Sequence, residues 1–392
     1  MAIEGKADTG GRRLRLGMVG GGRDAFIGAV HRIASRIDDQ FELVAGAFSS
    51  TPEKSKASAA DLGVDPRRAY GDYVEMAKAE ARRKDGIDAV AIVTPNHMHA
   101  PVAKEFLKRG IHVICDKPLT ATLPEAKRLV AAAEASQALF VLTHNYTGYP
   151  MIRQAREMIA AGELGDLRLV NVEYVQDWLS EPIEQTGQKQ AGWRTDPARS
   201  GAGGSTGDIG THAYNLASFV TGLTLESLAA DLQSFVEGRQ VDDNGHVLMR
   251  FKGGARGMLW CSQVAPGNEN GLRLRVYGTK AGLDWAQEDP NYLWFTPLGQ
   301  PKRLITRGGA GAGAAAGRVS RVPPGHPEGY LEGFATIYAE VAQAIRAARK
   351  GGPKADKAAH FPSLEDGLKG VAFIEAVVAS SARGGRWTKV DA

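Results

Sequence analysis

Short apolar runs alternate with helical stretches along the first 145 residues, and this alternation restricts the fold more than any other feature. The runs are Leu14–Val19, Phe41–Phe48, Ala89–Thr94, His112–Cys115 and Leu139–Thr143. They are rich in Val, Ile and Leu and lack a strict apolar–polar alternation, which is how strands buried on both faces read. Between them lie helical stretches at Gly28–Ile37, Pro52–Leu62, Tyr73–Arg83, His97–Lys108 and Pro124–Ala135. Strand and helix in turn at this spacing predict a doubly wound parallel sheet. We place this first domain at residues 1–144, with 1–11 as a loose polar tail.

The pattern changes beyond residue 165. Leu167–Trp178 reads as a strand. Val247–Phe251 and Met258–Ser262 flank a glycine-containing turn, as do Leu272–Tyr277 and Leu283–Trp285; Tyr292–Thr296 and Lys302–Thr306 flank Pro297–Pro301. Successive hairpins predict an open, mostly antiparallel sheet. Helices at Met151–Ala161, Thr206–Thr221, Glu328–Arg349 and Leu364–Ala382 would cover one face, giving an α+β domain over 145–392. A chain of 392 residues also exceeds the ~250–300 at which single cores stop growing. Gly308–Gly317 holds only Gly and Ala and reads as a flexible surface loop, a lid being the other reading.

Composition narrows the partners. Lys and Arg number 48 against 44 Asp and Glu, a net +4 spread along the chain, so nothing points to nucleic acid. Two cysteines, Cys115 and Cys261, form neither a disulfide framework nor a metal-ligand spacing. Arg12-Arg13 precedes too short and too glycine-rich a stretch for a signal peptide, and no run of ~18 apolar residues exists. A soluble cytoplasmic protein is the expectation.

Leu14–Val19 runs into Gly20-Gly21-Gly22, and the next glycine is Gly28. Glycines after a first strand let backbone N–H groups approach a pyrophosphate, with a helix N-terminus aimed at it. Five residues, Arg23–Ile27, stand where the GxGxxG pattern has two, and a tight turn without a ligand is the plainer alternative. Dinucleotide sites usually place an acid at the end of the second strand, on the ribose 2′-hydroxyl. Here that end reads Phe48-Ser49-Ser50-Thr51, so hydroxyls, with Arg23 or Lys54 near, favour NADP over NAD. Lys117 follows an apolar strand and precedes a proline, at the sheet edge where open α/β folds bind ligands. Asp208 and His212 are spaced i, i+4 on one helical face that Asn215 continues, while Ile209, Ala213, Leu216 and Val220 form an apolar face. Ser205 or Thr206 would cap this helix. A zinc site would need a third ligand at a matching spacing, and none is evident.

Taken together, several stretches resemble the glucose–fructose oxidoreductase/inositol dehydrogenase (Gfo/Idh/MocA) family. They are Gly20-Gly21-Gly22 with Gly28-Ala29-Val30-His31, Thr94-Pro95-Asn96-His97-Met98-His99, and Asp116-Lys117-Pro118-Leu119. Asn145-Tyr146, Gln176-Asp177-Trp178, Trp193-Arg194 and Gly207-Asp208-Ile209-Gly210-Thr211-His212 continue it, in order, from about residue 13 to 390. The chain departs from the pattern in the three extra loop residues, in Asp116 where the family has Glu, in the missing strand-end acid, and in Thr147 where Arg is frequent.

The resemblance implies an N-terminal Rossmann domain binding NAD or NADP and a C-terminal domain with an open sheet. It implies cofactor contacts at Gly20, Gly21, Gly22, Ile27 and Gly28, and at Ser49 and Ser50. Further contacts would come from Thr94, Pro95 and Asn96, and from His99, Asp116 and Lys117. Asn96 would line the nicotinamide ribose or cap the following helix, and His99 reads as structural rather than catalytic. Lys117 would hydrogen-bond the reacting hydroxyl and stabilise alkoxide character. His212, of ordinary pKa ~6.5, would act as general base, with Asp208 orienting it or holding an adjacent hydroxyl. Substrate would meet Tyr146, Trp178 and Trp193 as stacking surfaces, Gln176 and Arg194 as hydroxyl partners, and His326 from a loop.

The implied activity is hydride transfer between nicotinamide and a ring hydroxyl of a sugar or cyclic polyol. A glycoside-cleaving enzyme with no net redox change is an alternative, as is a non-catalytic sugar sensor. Large apolar residues between 246 and 306, consecutive in Val247-Leu248-Met249 and Leu293-Trp294-Phe295, would make both sheet faces apolar. With the resemblance, they predict a homodimer or homotetramer joined through that sheet.

Overall fold

The computed structural model describes residues 11–23, 25–349 and 360–391, so most of the expected tail at 1–11 lies outside the described residues. The chain forms two compact units. The first holds five parallel strands: β1 (Leu14–Gly20), β2 (Phe41–Ala47), β3 (Ala89–Val93), β4 (His112–Cys115) and β5 (Phe140–Leu142), in the order β2-β1-β3-β4-β5. Ala-Val-Ala-Ile-Val of β3 is buried throughout, as a central strand covered on both faces must be. From β1 the chain steps to β2 on one side and then to β3 on the other. The switch point therefore falls at the carboxyl ends of β1 and β3, where such sheets hold ligands.

Helix Tyr330–Arg349 belongs to this first unit, although the sequence reading placed it in the second domain. The reason is its apolar face: Phe334, Ile337, Tyr338, Val341 and Ile345 are buried in one core with Val30 and Ala34 of helix Phe26–Ile37 and with Leu14 and Leu16 of β1. Each such side chain contributes ~1.5–3 kcal/mol on burial. Residues 145–148 pack so closely on this helix that a Cβ at Gly148 would overlap the carbonyl of Gly333.

The second unit is built on a nine-stranded sheet. Its strands are β6 (Leu167–Val175), β7 (Leu225–Gln233), β8 (Asn244–Phe251), β9 (Arg256–Ser262), β10 (Gly271–Gly278), β11 (Ala281–Ala286), β12 (Tyr292–Pro297), β13 (Arg303–Thr306) and β14 (Thr388–Lys389). They run in the order β13-β12-β11-β10-β6-β9-β8-β7-β14. All neighbours are antiparallel except β6 and β9, which run parallel with Val175 opposite Ser262. Alternation is clear in β8, where Val247, Met249 and Phe251 are buried and Leu248 is 54% exposed. In β10, Leu272, Leu274 and Val276 are buried while Arg273 and Arg275 are only partly so.

Three local features differ from the sequence reading. Strand β7, Leu-Glu-Ser-Leu-Ala-Ala-Asp-Leu-Gln, was not expected, because its Ala and acidic residues carry little strand propensity; pairing with β8 makes it a strand. The expected helix from Thr206 begins as a wide π turn, Thr206–Gly210, and becomes an α-helix at Thr211–Thr221. The Gly/Ala segment is tied down rather than loose. It ends in a short helix, Ala314–Gly317, where Gly313 N–H donates to Gln154 Oε1 (2.6 Å) and Ala316 is fully buried. No helix among the described residues is long and apolar enough to cross a membrane.

Candidate active site

In the first unit the glycine turn is shaped by contacts that exclude side chains. Gly20 and Gly21 have φ of +82° and +70°. A Cβ on Gly21 would stand 2.9 Å from Gly28 Cα, and one on Gly22 would stand 2.8 Å from the Phe48 carbonyl. Gly28 thus lets helix Phe26–Ile37 press its N-terminus onto the turn. That helix has no side-chain cap and no acidic residue in its first turn, which leaves its N-terminal N–H groups to an anion. A pyrophosphate fits this cradle. Ile27 lies in the helix's first turn, partly buried against the core.

At the end of β2, Ser49 Oγ accepts from Thr51 N–H (3.3 Å) and Ser50 is exposed. Arg23 is held by Asp61 through Nε (2.5 Å) and Nη2 (2.8 Å), and Lys54 is exposed. At the end of β3, Thr94 and Pro95 lead into a 3₁₀ turn, Asn96–Met98. The buried Asn96 is not a helix cap: helix His99–Leu107 follows Met98, and neither turn nor helix has a side-chain cap.

His99 is fully buried, with Nδ1 2.7 Å from the Pro118 carbonyl and Nε2 3.0 Å from the Thr94 carbonyl. It therefore ties the Lys117-Pro118 segment to the end of β3, the structural role expected of it. Burial lowers its pKa, against the pull of Asp116. Asp116 Oδ1 accepts from Lys117 N–H (2.9 Å) and Thr143 Oγ1 (3.1 Å). His144, which the sequence reading passed over, is buried, and desolvation together with the Lys117 charge brings it down to about 3. A neutral imidazole thus stands beside the ammonium. Asn145 Nδ2 is buried with no hydrogen-bond partner, and Tyr146 packs on Tyr330, ring centroids 6.3 Å apart.

In the second unit Asp208 lies in the π turn and His212 in the helix that follows. The N-terminus they share is capped from outside, because neither Ser205 nor Thr206 caps it. Instead, the buried Asp242 carboxylate accepts from Gly204 N–H (2.7 Å), Ser205 Oγ (2.7 Å), Thr206 N–H (2.8 Å) and Thr206 Oγ1 (2.8 Å). A negative charge at this end also suits the helix dipole.

Asp208 Oδ2 accepts from Arg194 Nε (3.2 Å) and Gln263 Nε2 (2.9 Å). Arg194 lies over the Trp193 ring at 4.3 Å and 6.0 Å from the Trp178 ring. Trp178 Nε1 donates to Gln176 Oε1 (3.1 Å), and Gln176 Nε2 donates to Asn270 Oδ1 (2.9 Å). Tyr174 hydroxyl donates to the same oxygen (2.7 Å), and its ring meets His212 edge-on at 6.2 Å. Gln176, Trp178, Trp193, Arg194, Asp208 and His212 are thereby joined in one network. Tyr174, Gln263 and Asn270 were not foreseen, because no motif marks them; the parallel pairing of β6 with β9 brings Gln263 beside Gln176. His326 stands apart. Its side chain is exposed, and its loop is held through backbone carbonyls, including its own, by Arg307.

The first unit thus carries a backbone cradle that fits a pyrophosphate, and the second carries a carboxylate and an imidazole within one turn of a helix N-terminus. Residues 14–144 match the model of the oxidoreductase family with an NAD-binding Rossmann fold, and 152–284 match the GFO/IDH/MocA C-terminal domain. The chain is 36% identical over 96% of its length, and 96% of the relative's, to the uncharacterized oxidoreductase YfiI of Bacillus subtilis. It belongs to the Gfo/Idh/MocA family of oxidoreductases. Within that family it is similar to a crystal structure of an oxidoreductase from Sinorhizobium meliloti (63% identity, 97% of this chain and 100% of that one, TM-score 0.88). It is also similar to an inositol dehydrogenase homolog from Azotobacter vinelandii complexed with NAD+ (40% identity, 96% and 97%, TM-score 0.92). The same homolog complexed with NADH and myo-inositol matches at 39% identity, 96% and 98% coverage, and TM-score 0.89.

Proposed function

We propose that this protein is an NAD(P)-dependent dehydrogenase of a ring hydroxyl on a cyclic polyol, of which myo-inositol is the type, or on a pyranose. The observation that carries the reading is the network around Asp208 and His212. Amides, a guanidinium and two indoles gather at a carboxylate–imidazole pair, a set of groups that recognises several hydroxyls at once. The likeness to a homolog bound to NADH and myo-inositol supports the same substrate class. Bound NAD(P) supplies the hydride acceptor. His212 takes the hydroxyl proton, and its near-neutral ordinary pKa suits that transfer. The Lys117 ammonium stabilises the alkoxide character that develops on the substrate oxygen. Asp208, fixed by Arg194 and Gln263, holds the substrate hydroxyl against His212.

Gly20, Gly21, Gly22 and Gly28 hold the pyrophosphate, and Ser49 and Ser50 accept the adenosine ribose. Without a carboxylate at Ser49-Ser50-Thr51, NADP binds at least as well as NAD in this reading. A screen of inositols and pyranoses with both cofactors, reading the absorbance of reduced cofactor, tests the proposal. One reduced cofactor per oxidised product supports it. Product without net reduced cofactor points to glycoside cleavage instead, and binding without turnover points to a sensor.

The same reading includes assembly through the nine-stranded sheet. Leu248, Met258, Trp294 and Leu304 lie on its less buried face at 38–54% exposure. Register aligns Leu248 with Met258 and Trp294 with Leu304, and Arg275 paired with Glu173 stands between these two apolar pairs. A second copy related by a two-fold axis would cover both. Light scattering that shows only a 41.8 kDa species at micromolar concentration overturns this part.

A further inference from the structure

The parallel neighbours β6 and β9 end together, so Gln176 and Gln263 leave the sheet side by side. Gln263 is 2% exposed and anchored by its backbone: its N–H donates to the Asp243 carbonyl (2.8 Å) and its carbonyl accepts from Leu179 N–H (3.0 Å). The chemistry of its neighbours fixes which way its amide faces. An indole N–H only donates, and that of Trp178 donates to Gln176 Oε1. The Asp208 carboxylate only accepts. Gln263 must therefore present Nε2 to both, at 2.9 Å from Asp208 Oδ2 and 3.5 Å from Gln176 Oε1. Its Oε1 is thereby turned away from them.

The other amide oxygens of the network are used. Gln176 Oε1 accepts from Trp178, Asn270 Oδ1 accepts from Tyr174 and Gln176, and Gln287 Oε1 accepts from Asn270 Nδ2 (3.1 Å). Gln263 Oε1 accepts no hydrogen bond from any described residue, and although the residue as a whole is 2% exposed, this oxygen is not among the buried atoms left without a partner, so it is open to a small molecule. An accessible acceptor on an otherwise buried and anchored side chain is placed to take a hydrogen bond from a ligand donor or water.

We infer that Gln263 Oε1 accepts a hydrogen bond from a substrate hydroxyl, one adjacent on the ring to the hydroxyl that Asp208 and His212 serve. Gln263 is then a specificity-determining residue, and this assignment rests on the dehydrogenase reading above. Its hydrogen bond to Asp208 places its acceptor one group along from the reacting position, where a vicinal hydroxyl of a polyol ring would lie. A ring without that hydroxyl leaves the acceptor unpaired and is rejected.

The test is steady-state kinetics with whichever inositol or pyranose the wild type oxidises, and with its monodeoxy analogues. In the wild type, one analogue lacking a hydroxyl next to the oxidised carbon should lose about tenfold or more in kcat/KM. Gln263→Met keeps the side chain's length and removes both polar atoms. It should raise KM for the full substrate about 10–100-fold, lower kcat only a few-fold, leave the cofactor dissociation constant unchanged, and add no penalty for that one analogue. Equal kcat/KM for all monodeoxy analogues in the wild type overturns the assignment even if the variant does not fold. A loss in kcat alone, equal for every analogue, also overturns it and leaves Gln263 as a support for Asp208. A wild type that oxidises none of the panel overturns the dehydrogenase reading and this assignment with it, whereas turnover with an indifferent Gln263→Met overturns this assignment alone.

Discussion

At the carboxyl ends of β1 and β3 the groups offered to a ligand are mostly backbone: two glycines at positive φ, a third against a carbonyl, and an uncapped helix N-terminus. At the ends of β6 and β9 they are side chains, namely Gln176, Gln263, Asp208, Arg194 and two tryptophans, each held by another. Both places are ends of adjacent parallel strands, where no hairpin closes the sheet and the chain is free to leave it. On the proposed function the difference follows from what each edge binds. A pyrophosphate is the same in every substrate pair and is served by N–H groups that cannot vary with side-chain identity. A ring of hydroxyls differs from one polyol to the next and is served by groups that substitution can change.

Substitutions should separate the two edges. His212→Ala should lower turnover by ~10²–10⁴-fold with cofactor affinity intact, as removal of an acid–base group does. Lys117→Ala should do the same although it lies at the parallel sheet. Stopped-flow turnover beside fluorescence titration of the cofactor checks both, and wild-type turnover in either variant removes that residue from the mechanism.

Acid should weaken the parallel-sheet unit through His31, whose Nδ1 meets the Tyr338 hydroxyl at 2.8 Å and whose Nε2 is buried without a partner. Burial lowers His31 from its ordinary 6.5 to about 4. Between those values the unfolded chain binds a proton that the folded one refuses. Stability is therefore full above the unfolded pKa and is lost as pH falls toward the folded one. At about 1.4 kcal/mol per pH unit the loss from His31 is at most about 3 kcal/mol. Urea unfolding across this range should show the slope, and His31→Gln should reduce it, leaving the part contributed by His144 and His99, which burial also lowers.

Gly21→Ala, which forces a side chain into left-handed backbone at a cost of ~1–2 kcal/mol, should weaken cofactor binding about tenfold and leave turnover at saturating cofactor near normal. The smallest effect is expected from Ser49→Asp, which should shift preference toward NAD by several-fold, since a carboxylate there repels a 2′-phosphate. A wild type that already prefers NAD clearly would refute the NADP reading.

The legibility of the two edges in the sequence follows the same division. The glycines could be singled out as candidates because a backbone cradle demands glycine at fixed offsets, and Thr94-Pro95-Asn96 and Asp116-Lys117 because they match the family's motifs at strand ends. Asp208 and His212 were readable because one helix carries both. Gln263 and Asn270 were not, because their neighbours lie far along the chain: the parallel pairing of β6 with β9 brings in Gln263, and the antiparallel pairing of β6 with β10 brings in Asn270. Asp242 was missed for a related reason. Local spacing pointed to Ser205 or Thr206 as the cap, whereas a carboxylate more than thirty residues later satisfies the same N–H groups. Helix Tyr330–Arg349 was assigned by proximity in sequence, but its apolar face is matched by Val30 and Ala34.

That last helix sets a timetable for biosynthesis. The ribosome releases the five parallel strands early, yet the apolar surface of helix Phe26–Ile37 stays uncovered until Phe334, Ile337, Tyr338 and Val341 have been translated. A nascent chain halted anywhere before them would hold a dinucleotide cradle on an unfinished core. The core that supports the cradle is therefore completed only after most of the polypeptide, including the whole run of β6 to β13, has emerged.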